Sequence, residues 1–325
     1  MREIRFIEAV REAMTEEMRR DDTIFIFGEG IGPRGGNFKQ TVGMAAEFGV
    51  KRLIDTPISE LGFTGMAIGA AMTGLRPIVD LMFWDFAWEA SGQIINQAGR
   101  IHQMSNGQFS VPLVIRAVVG IGGGAAGHHS SVPYPVYAHM PGLKVVVPST
   151  PYDAKGLLKT AIRDNNPVLV FEHRGLYNLK GEVPEGEYLI PLGQAKVHRE
   201  GKDVTIVATA RMVQLSLQAA DKLAQEGISV EIVDPRTLVP LDKETILNSI
   251  RKTNRLVVVD EAFAPFGVGA EMAALAADEA FYYLDSPIKR IHTASAVPPA
   301  SERMEAFILP SVDKIVATVR EVVKQ

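Results

Sequence analysis

Short apolar runs rich in β-branched residues alternate along the chain with longer segments of helical periodicity. The chain opens with an amphipathic pattern, which predicts a helix with one apolar face formed by Ile4, Ala9, Val10, Met14 and Met18. Apolar runs follow, separated by helix-length or glycine-rich segments, at residues 23–27, 78–83, 112–115, 143–147 and 167–171. Runs without a polar face are typical of strands buried in a parallel sheet. We therefore predict an α/β domain whose parallel sheet is covered by helices.

This alternation stops between residues 174 and 193, where glycine, proline and charged residues are mixed without apolar periodicity. We interpret the stretch as a linker. A second series follows, which predicts strands at 204–207, 228–233, 256–259 and 288–292 and helices at 212–225, 243–250, 269–284 and 311–325. The pattern therefore predicts two α/β domains, residues 1–187 and residues 188–325.

Composition narrows the class of protein. The 325 residues are 46% hydrophobic and carry a net charge of -4, so no basic field is present to attract a nucleic acid or an anionic membrane. Charge or proline interrupts every long apolar stretch, and the start of the chain lacks the layout of a secretory signal. We expect a soluble, cytoplasmic protein. The absence of cysteine excludes disulfides, thiolate metal sites and a cysteine nucleophile.

A glycine-rich segment at residues 120–125 matches the dinucleotide-binding fingerprint, but its context does not. A helix should follow the glycines, but the sequence continues through His128 and His129 to Pro133. The acidic residue expected about 20 residues further on is also missing, because none occurs between the glycines and Asp153. Its glycines are compatible either with a backbone that approaches a ligand closely or with a tight connecting loop. No HExxH motif or nearby carboxylate completes a zinc site around the two histidines, which leaves them an acid–base or a structural role.

Glu60 precedes a segment, residues 64–74, that is almost wholly small and apolar. A helix without a polar face must be buried or packed closely against another backbone. Ser59 could cap this helix, with Glu60 as an ordinary first-turn acid. Alternatively, a carboxyl group desolvated at the mouth of such a helix serves as a hydrogen-bond donor or acceptor near neutrality. Both tryptophans lie within residues 83–88, in an aromatic cluster that is either core, interface or a stacking platform.

Taken together, these segments resemble the beta subunit of the thiamine-diphosphate-dependent decarboxylating component of 2-oxoacid dehydrogenase complexes, of the pyruvate, branched-chain or acetoin type. The resemblance covers nearly the full length. Its most specific stretches are residues 55–74, 75–77, 93–98, 129–130, 141–148, 153–158, 162–167 and 234–242.

The resemblance implies a transketolase-like pyrimidine-binding domain at residues 1–187 and a transketolase-like C-terminal domain at residues 188–325 for contacts with other subunits and with the acyltransferase core. The implied activity is decarboxylation of a 2-oxoacid, pyruvate or a branched-chain one, with transfer of the acyl group to lipoyl-lysine. The alternatives are an acetoin dehydrogenase beta subunit, a split transketolase and a non-catalytic assembly partner. The aromatic and acidic residues at 84–89 disfavour a sugar phosphate substrate.

The resemblance also assigns roles to individual residues. Glu60 corresponds to the carboxylate that bonds the aminopyrimidine ring nitrogen, which promotes the tautomer that takes the proton from the thiazolium carbon. Phe86 corresponds to the aromatic residue that stacks on the pyrimidine, Met82 to a neighbour lining that pocket, and His129 to the active-site histidine. A potassium site is implied at Leu113, Ala161, Ile162, Asp164 and Asn166, although residues 164–166 also fit a simple turn.

The chain departs from the family at His128, where glutamine is common, and at residues 84–89 near the expected substrate entrance. It also lacks the GDG motif that holds magnesium and the cofactor's diphosphate. In the family that motif lies on an alpha subunit, so the resemblance implies a heterotetramer of two alpha and two beta chains. The other implied partner is the lipoyl domain and core of dihydrolipoyl acyltransferase. The apolar helices at 65–74 and 268–277 are expected to be subunit contacts or internal core.

Overall fold

The computed structural model describes residues 1–324, and within them the chain forms two α/β units. The first comprises residues 1–119 and 136–192, and the second comprises residues 120–135 and the chain from residue 193 onward. The expected α/β class is confirmed, because mainly parallel strands alternate with helices in both units. The segment 120–135, which we expected in the first domain, lies with the second unit.

A parallel sheet forms the centre of the first unit. Its strands lie in the order β6, β7, β5, β4, β2, β3 and are β2 (Ile24–Gly28), β3 (Leu53–Asp55), β4 (Arg76–Phe83), β5 (Val114–Val119), β6 (Lys144–Val146) and β7 (Val168–His173). A separate antiparallel pair joins β1 (Arg2–Arg5) to β8 (Lys180–Val183). The helices are α1 (Phe6–Arg20), α2 (Met44–Phe48), α3 (Glu60–Met72), α4 (Ile101–Met104) and α6 (Pro151–Arg163), and α5 (Tyr134–Ala138) spans the change between units.

The second unit is built on a smaller sheet in the order β14, β13, β10, β11, β9, with only β9 antiparallel to its neighbour. The strands of this sheet are β9 (Lys196–Arg199), β10 (Val204–Ala208), β11 (Val230–Asp234), β13 (Leu256–Phe263) and β14 (Lys289–Thr293). The short strand β12 (Thr237–Val239) also belongs to this unit but not to this sheet. The helices of the unit are α7 (Arg211–Ala224), α8 (Lys243–Thr253), α9 (Val268–Glu279), α10 (Glu302–Ile308) and α11 (Val312–Lys324).

Two predictions of local structure were wrong, and both errors involve the same pair of strands. Ile4 lies in β1 and not in the opening helix, which begins at Phe6. The stretch interpreted as a linker contains β8, which pairs with β1 so that Arg2 lies opposite Val183. Pairing between such distant segments leaves no local periodicity, because register depends on the partner strand. In the described part of the chain, no helix is both long enough and apolar enough to span a membrane.

Candidate functional site

Acidic residues collect at one edge of the first unit's sheet. Glu29 follows β2, Asp55 ends β3, Asp80 lies in β4, and Glu60 is the first residue of α3. Burial raises the pKa of Glu29, and the charges of Glu60, Asp55 and Asp80 raise it further. The Glu29 Oε1 atom is buried and has no hydrogen-bond partner within residues 1–324. This edge therefore favours a proton or a ligand that donates a hydrogen bond.

Glu60 lies in this cluster as a nearly buried carboxyl group, with 8% of the residue exposed. Ser59 is at the N-cap of α3, but its side chain makes no capping hydrogen bond. Among the described residues, no hydrogen bond or ion pair engages the Glu60 carboxyl group. Glu60 is therefore available to a ligand that offers a donor or accepts a proton.

A bulge in β4 lies next to these acids. The register between β4 and β5 shifts between Asp80 and Phe83, and Met82 adopts a left-handed conformation with φ of +64°. Such a conformation is uncommon for a residue other than glycine and persists only when its surroundings hold it. The Met82 N–H donates to Asp80 Oδ1 at 2.9 Å, and Asn37 Nδ2 lies 2.5 Å from Met82 Sδ. These contacts fix the backbone at the residue expected to line the pocket.

Asp80 is itself held by a buried charge cluster. Its Oδ2 atom accepts from Gln40 Nε2 at 2.8 Å and from Arg116, which also binds Glu172 with its Nε atom 2.6 Å from Oε1. Burial lowers the pKa of Arg116, but the adjacent charges of Asp80 and Glu172 raise it well above its ordinary value. At Gly28, on the neighbouring strand β2, an added Cβ atom would lie 2.9 Å from the Asp80 Cβ atom, so only glycine fits at this position. Arg116 is therefore a permanently charged anchor for Asp80.

Phe86 lies in the 3-10 turn Trp84–Trp88 that follows β4. It is half-buried, and its ring meets that of Phe83 at 73° with centroids 5.8 Å apart.

The two tryptophans have different environments. Trp84 is fully buried, stacks on Phe171 at 3.9 Å, and donates from Nε1 to the Val170 carbonyl at 3.2 Å. The expectation that Trp84 lies near the substrate entrance was wrong, because its ring belongs to the core. Trp88 and Glu89 are exposed.

His129 lies in the segment of residues 120–135, which belongs to the second unit, whereas Glu60, Met82 and Phe86 belong to the first. Its backbone N–H donates to the Ala126 carbonyl at 3.4 Å. Positive φ angles occur at the four glycines of this segment's start, Gly120, Gly122, Gly123 and Gly124. The histidine therefore sits on a loop that only glycine-rich sequence can form.

The residues of the expected potassium site offer oxygen atoms as ligands around the turn after α6. The carbonyls of Leu113, Ala161 and Ile162 accept from Val168, Asp164 and Arg76, and each keeps a second lone pair. The Asp164 carboxylate accepts from Lys144 at 2.5 Å and from the Asn166 side chain at 2.9 Å. Burial alone would raise the pKa of Asp164, but these bonds hold it below its ordinary value. The donor set fits a hard cation, and Lys144 already balances the charge of Asp164.

Sequence reasoning missed Glu29, Asp80 and Arg116. A signal was present, because Glu29 follows the apolar run 23–27 closely and Asp80 is the one charged residue inside the apolar run 78–83. Ligands of open α/β sheets bind outside the carboxyl ends of the strands, so acids at those positions are candidates.

Comparison with known proteins agrees with this architecture. Residues 2–180 match the transketolase pyrimidine-binding domain, and residues 193–315 match the transketolase C-terminal domain. A solved structure described as a split-gene transketolase, an inactive beta4 tetramer, superposes with a TM-score of 0.81 at 24% identity and covers 99% of this chain and 98% of its own. That likeness shows the fold.

Three curated relatives differ in their named activity but are similarly close. The 2-oxoisovalerate dehydrogenase subunit beta of Bacillus subtilis is 44% identical over 97% of both chains. The acetoin:2,6-dichlorophenolindophenol oxidoreductase subunit beta of the same organism is 45% identical over 98% of this chain and 97% of its own. The pyruvate dehydrogenase E1 component subunit beta of Rickettsia felis is 46% identical over 97% of both chains. The chain therefore belongs to the transketolase-like family of 2-oxoacid dehydrogenase beta subunits.

Proposed function

We propose that this chain holds the aminopyrimidine part of thiamine diphosphate and, jointly with an alpha subunit, decarboxylates a 2-oxoacid and transfers the acyl group to lipoyl-lysine. The observation that carries the proposal is the carboxyl group of Glu60. It is nearly buried, is engaged by no described residue, and lies beside Glu29, whose buried Oε1 atom also has no hydrogen-bond partner in residues 1–324. An aminopyrimidine offers the ring nitrogen and amino donors that such an edge needs.

In this proposal, three residues of the first unit have different roles in binding the cofactor. Glu60 holds a proton at the pyrimidine ring nitrogen, Phe86 offers its ring face for stacking, and Met82 lines the pocket from its fixed backbone. When bound, thiamine diphosphate supplies a carbon nucleophile that also accepts the electron pair released by decarboxylation. His129 orients or protonates the 2-oxo group and assists transfer to the lipoyl arm. Potassium at Leu113, Ala161, Ile162, Asp164 and Asn166 would stabilise the turn after α6.

An alpha subunit completes the site in this proposal. The sequence contains no GDG motif, so magnesium and the diphosphate are assigned to the partner. Helix α3 supports a subunit contact, because it exposes apolar side chains at Leu61 and Met66, with exposed fractions of 52% and 63%. The relatives are named as beta subunits, which supports an assembly of two alpha and two beta chains. We assign contacts with the dihydrolipoyl acyltransferase core to residues 188–325.

Pyruvate and branched-chain 2-oxoacids are the proposed substrates, and acetoin is the second candidate. The relatives named for these three activities are 46%, 44% and 45% identical to this chain, so similarity does not rank them. The acidic residues Asp85 and Glu89 disfavour the sugar phosphate of a transketolase. A panel of the three substrates, assayed with an artificial electron acceptor after co-purification with an alpha chain, decides between them.

The test of the cofactor site is Glu60→Ala in the assembled enzyme. We expect turnover to fall by about 10²–10⁴-fold, the usual contribution of a positioned acid–base group. The assembly, measured by size-exclusion chromatography, should persist. Glu185→Ala is the matched control, because Glu185 is an exposed acid of the same unit. Full turnover in Glu60→Ala would refute the proposal.

A further inference from the structure

In the second unit, buried carboxylates hold the backbone of the segment that carries His129. Strand β13 contains the consecutive acids Asp260 and Glu261 near its carboxyl end. Glu261 Oε1 accepts the backbone N–H of Ile121 at 2.6 Å, and both residues are buried. A charged acceptor makes this hydrogen bond stronger than one between neutral groups.

A second carboxylate reaches the same segment from a different element. Glu305, on α10, is buried, and its Oε2 atom accepts the backbone N–H of Gly124 at 3.0 Å. Its other oxygen, Oε1, is buried without a hydrogen-bond partner among residues 1–324. A carboxylate buried with so little compensation costs stability. Stability of the fold therefore does not explain Glu305, and a role in holding Gly124 does.

The glycine loop at residues 120–124 needs hydrogen bonds of this kind to keep its backbone in one conformation. Gly122, Gly123 and Gly124 have φ angles of +155°, +68° and +65°, and Ala126 has +56°. Glycine backbone has many alternative conformations, so consecutive glycines do not select one by themselves. At Gly124 an added Cβ atom would lie 3.3 Å from the Ala300 carbonyl oxygen, which shows how closely the loop approaches the segment before α10.

The far end of the segment is anchored as well. The Tyr134 hydroxyl donates to Asp260, which also accepts from Thr209 Oγ1 at 2.6 Å. Burial raises the pKa of Tyr134 well above its ordinary value, and the charge of Asp260 adds to this, so the hydroxyl remains a donor. His129 thus lies between a backbone held at Gly124 and a side chain held at Tyr134.

We propose that Glu261 and Glu305 are positioning residues, which fix the glycine loop at residues 120–124 and thereby the placement of His129. The C-terminal part of the chain then supports catalysis indirectly, by positioning His129, besides making the proposed subunit contacts. The inference rests on the proposed role of His129 and concerns how that imidazole is held.

The experiment compares Glu305→Ala, Glu305→Gln and Glu302→Ala in the enzyme assembled with its alpha subunit. Glu302 is an exposed acid on the same helix and is the matched control. For Glu305→Ala we expect kcat to fall by about 10- to 100-fold, the scale of a small misplacement of a catalytic group. Half-saturation by thiamine diphosphate should stay within about twofold, because the proposed cofactor residues lie on the other unit. Glu305→Gln should restore most of kcat, since its amide oxygen still accepts the Gly124 N–H.

Equal kcat in Glu305→Ala and Glu302→Ala would overturn the inference, provided that His129→Ala is inactive. Full activity in His129→Ala would instead overturn the proposed role of the histidine. If Glu305→Ala fails to fold, Glu305→Asp replaces it, because that variant keeps the charge but is one methylene too short to reach Gly124. An unchanged kcat in the folded Glu305→Asp enzyme would likewise overturn the inference.

Discussion

Replacing Asp80 by alanine tests whether the buried charge cluster builds the cofactor pocket. The substitution removes the acceptor of three groups, the side chains of Gln40 and Arg116 and the N–H of Met82. Arg116 keeps Glu172 as a partner, so the guanidinium is left with one of its two carboxylates. Two structural consequences follow, a loss of stability in the first unit and a loss of the left-handed backbone at Met82.

The magnitude follows from burial. Asp80 is 3% exposed and Arg116 is fully buried, and breaking such a pair by removing one partner costs about 3–5 kcal/mol. Relaxation of the Met82 backbone returns part of this, since a residue in a sparsely populated conformation stores about 1–3 kcal/mol. We expect the free energy of unfolding of the first unit to fall by about 2 kcal/mol, the difference between the midpoints of these two ranges, and the thiamine diphosphate concentration for half-saturation to rise.

Urea unfolding followed by tryptophan fluorescence measures the first effect, because both tryptophans lie in the first unit. The control is Asp22→Ala. Asp22 pairs with Arg52 at 3.2 Å, but its side chain is 99% exposed, so we expect almost no change. The reasoning is refuted if Asp80→Ala unfolds at the same urea concentration as Asp22→Ala, or if it loses stability while cofactor binding stays unchanged.

The remaining predictions concern pH, an ion and the core. Because the pKa of Glu29 is raised above its ordinary value of 4.5, its stabilising contribution is complete below that value and is lost as pH rises through the raised pKa. Glu29→Gln should therefore be more stable than the parent at pH 7.5 and equal to it near pH 4 in thermal scans, and a pH-independent difference would contradict this. Potassium chloride should raise the melting temperature more than sodium chloride at equal concentration, and Asp164→Ala should abolish the difference. Equal melting temperatures in the two salts would argue against the ion site. Trp84→Phe should cost about 1–3 kcal/mol in urea unfolding, because the buried Val170 carbonyl loses its indole donor, whereas Trp88→Phe should cost far less.

Local patterns in the sequence determined most of the architecture. Strands β2, β4, β7, β10 and β13 were each predicted at their observed place, because a strand buried on both faces must be apolar along its length. Helix α3 and the position of Glu60 at its start were also predictable, since composition and the acid before it are local signals. The roles of Glu60, Met82, Phe86 and His129 came from resemblance to a family, and they stay predictions that the proposed variants test.

Only the tertiary structure decided which residues meet across long separations. It paired β1 with β8, placed Arg116 between carboxylates of two other strands, and joined Glu305 to the backbone of Gly124. It also separated the two tryptophans, one into the core and one to the surface. The physical reason is that periodicity records which face of an element is buried, whereas a hydrogen bond between distant segments depends on how whole elements pack.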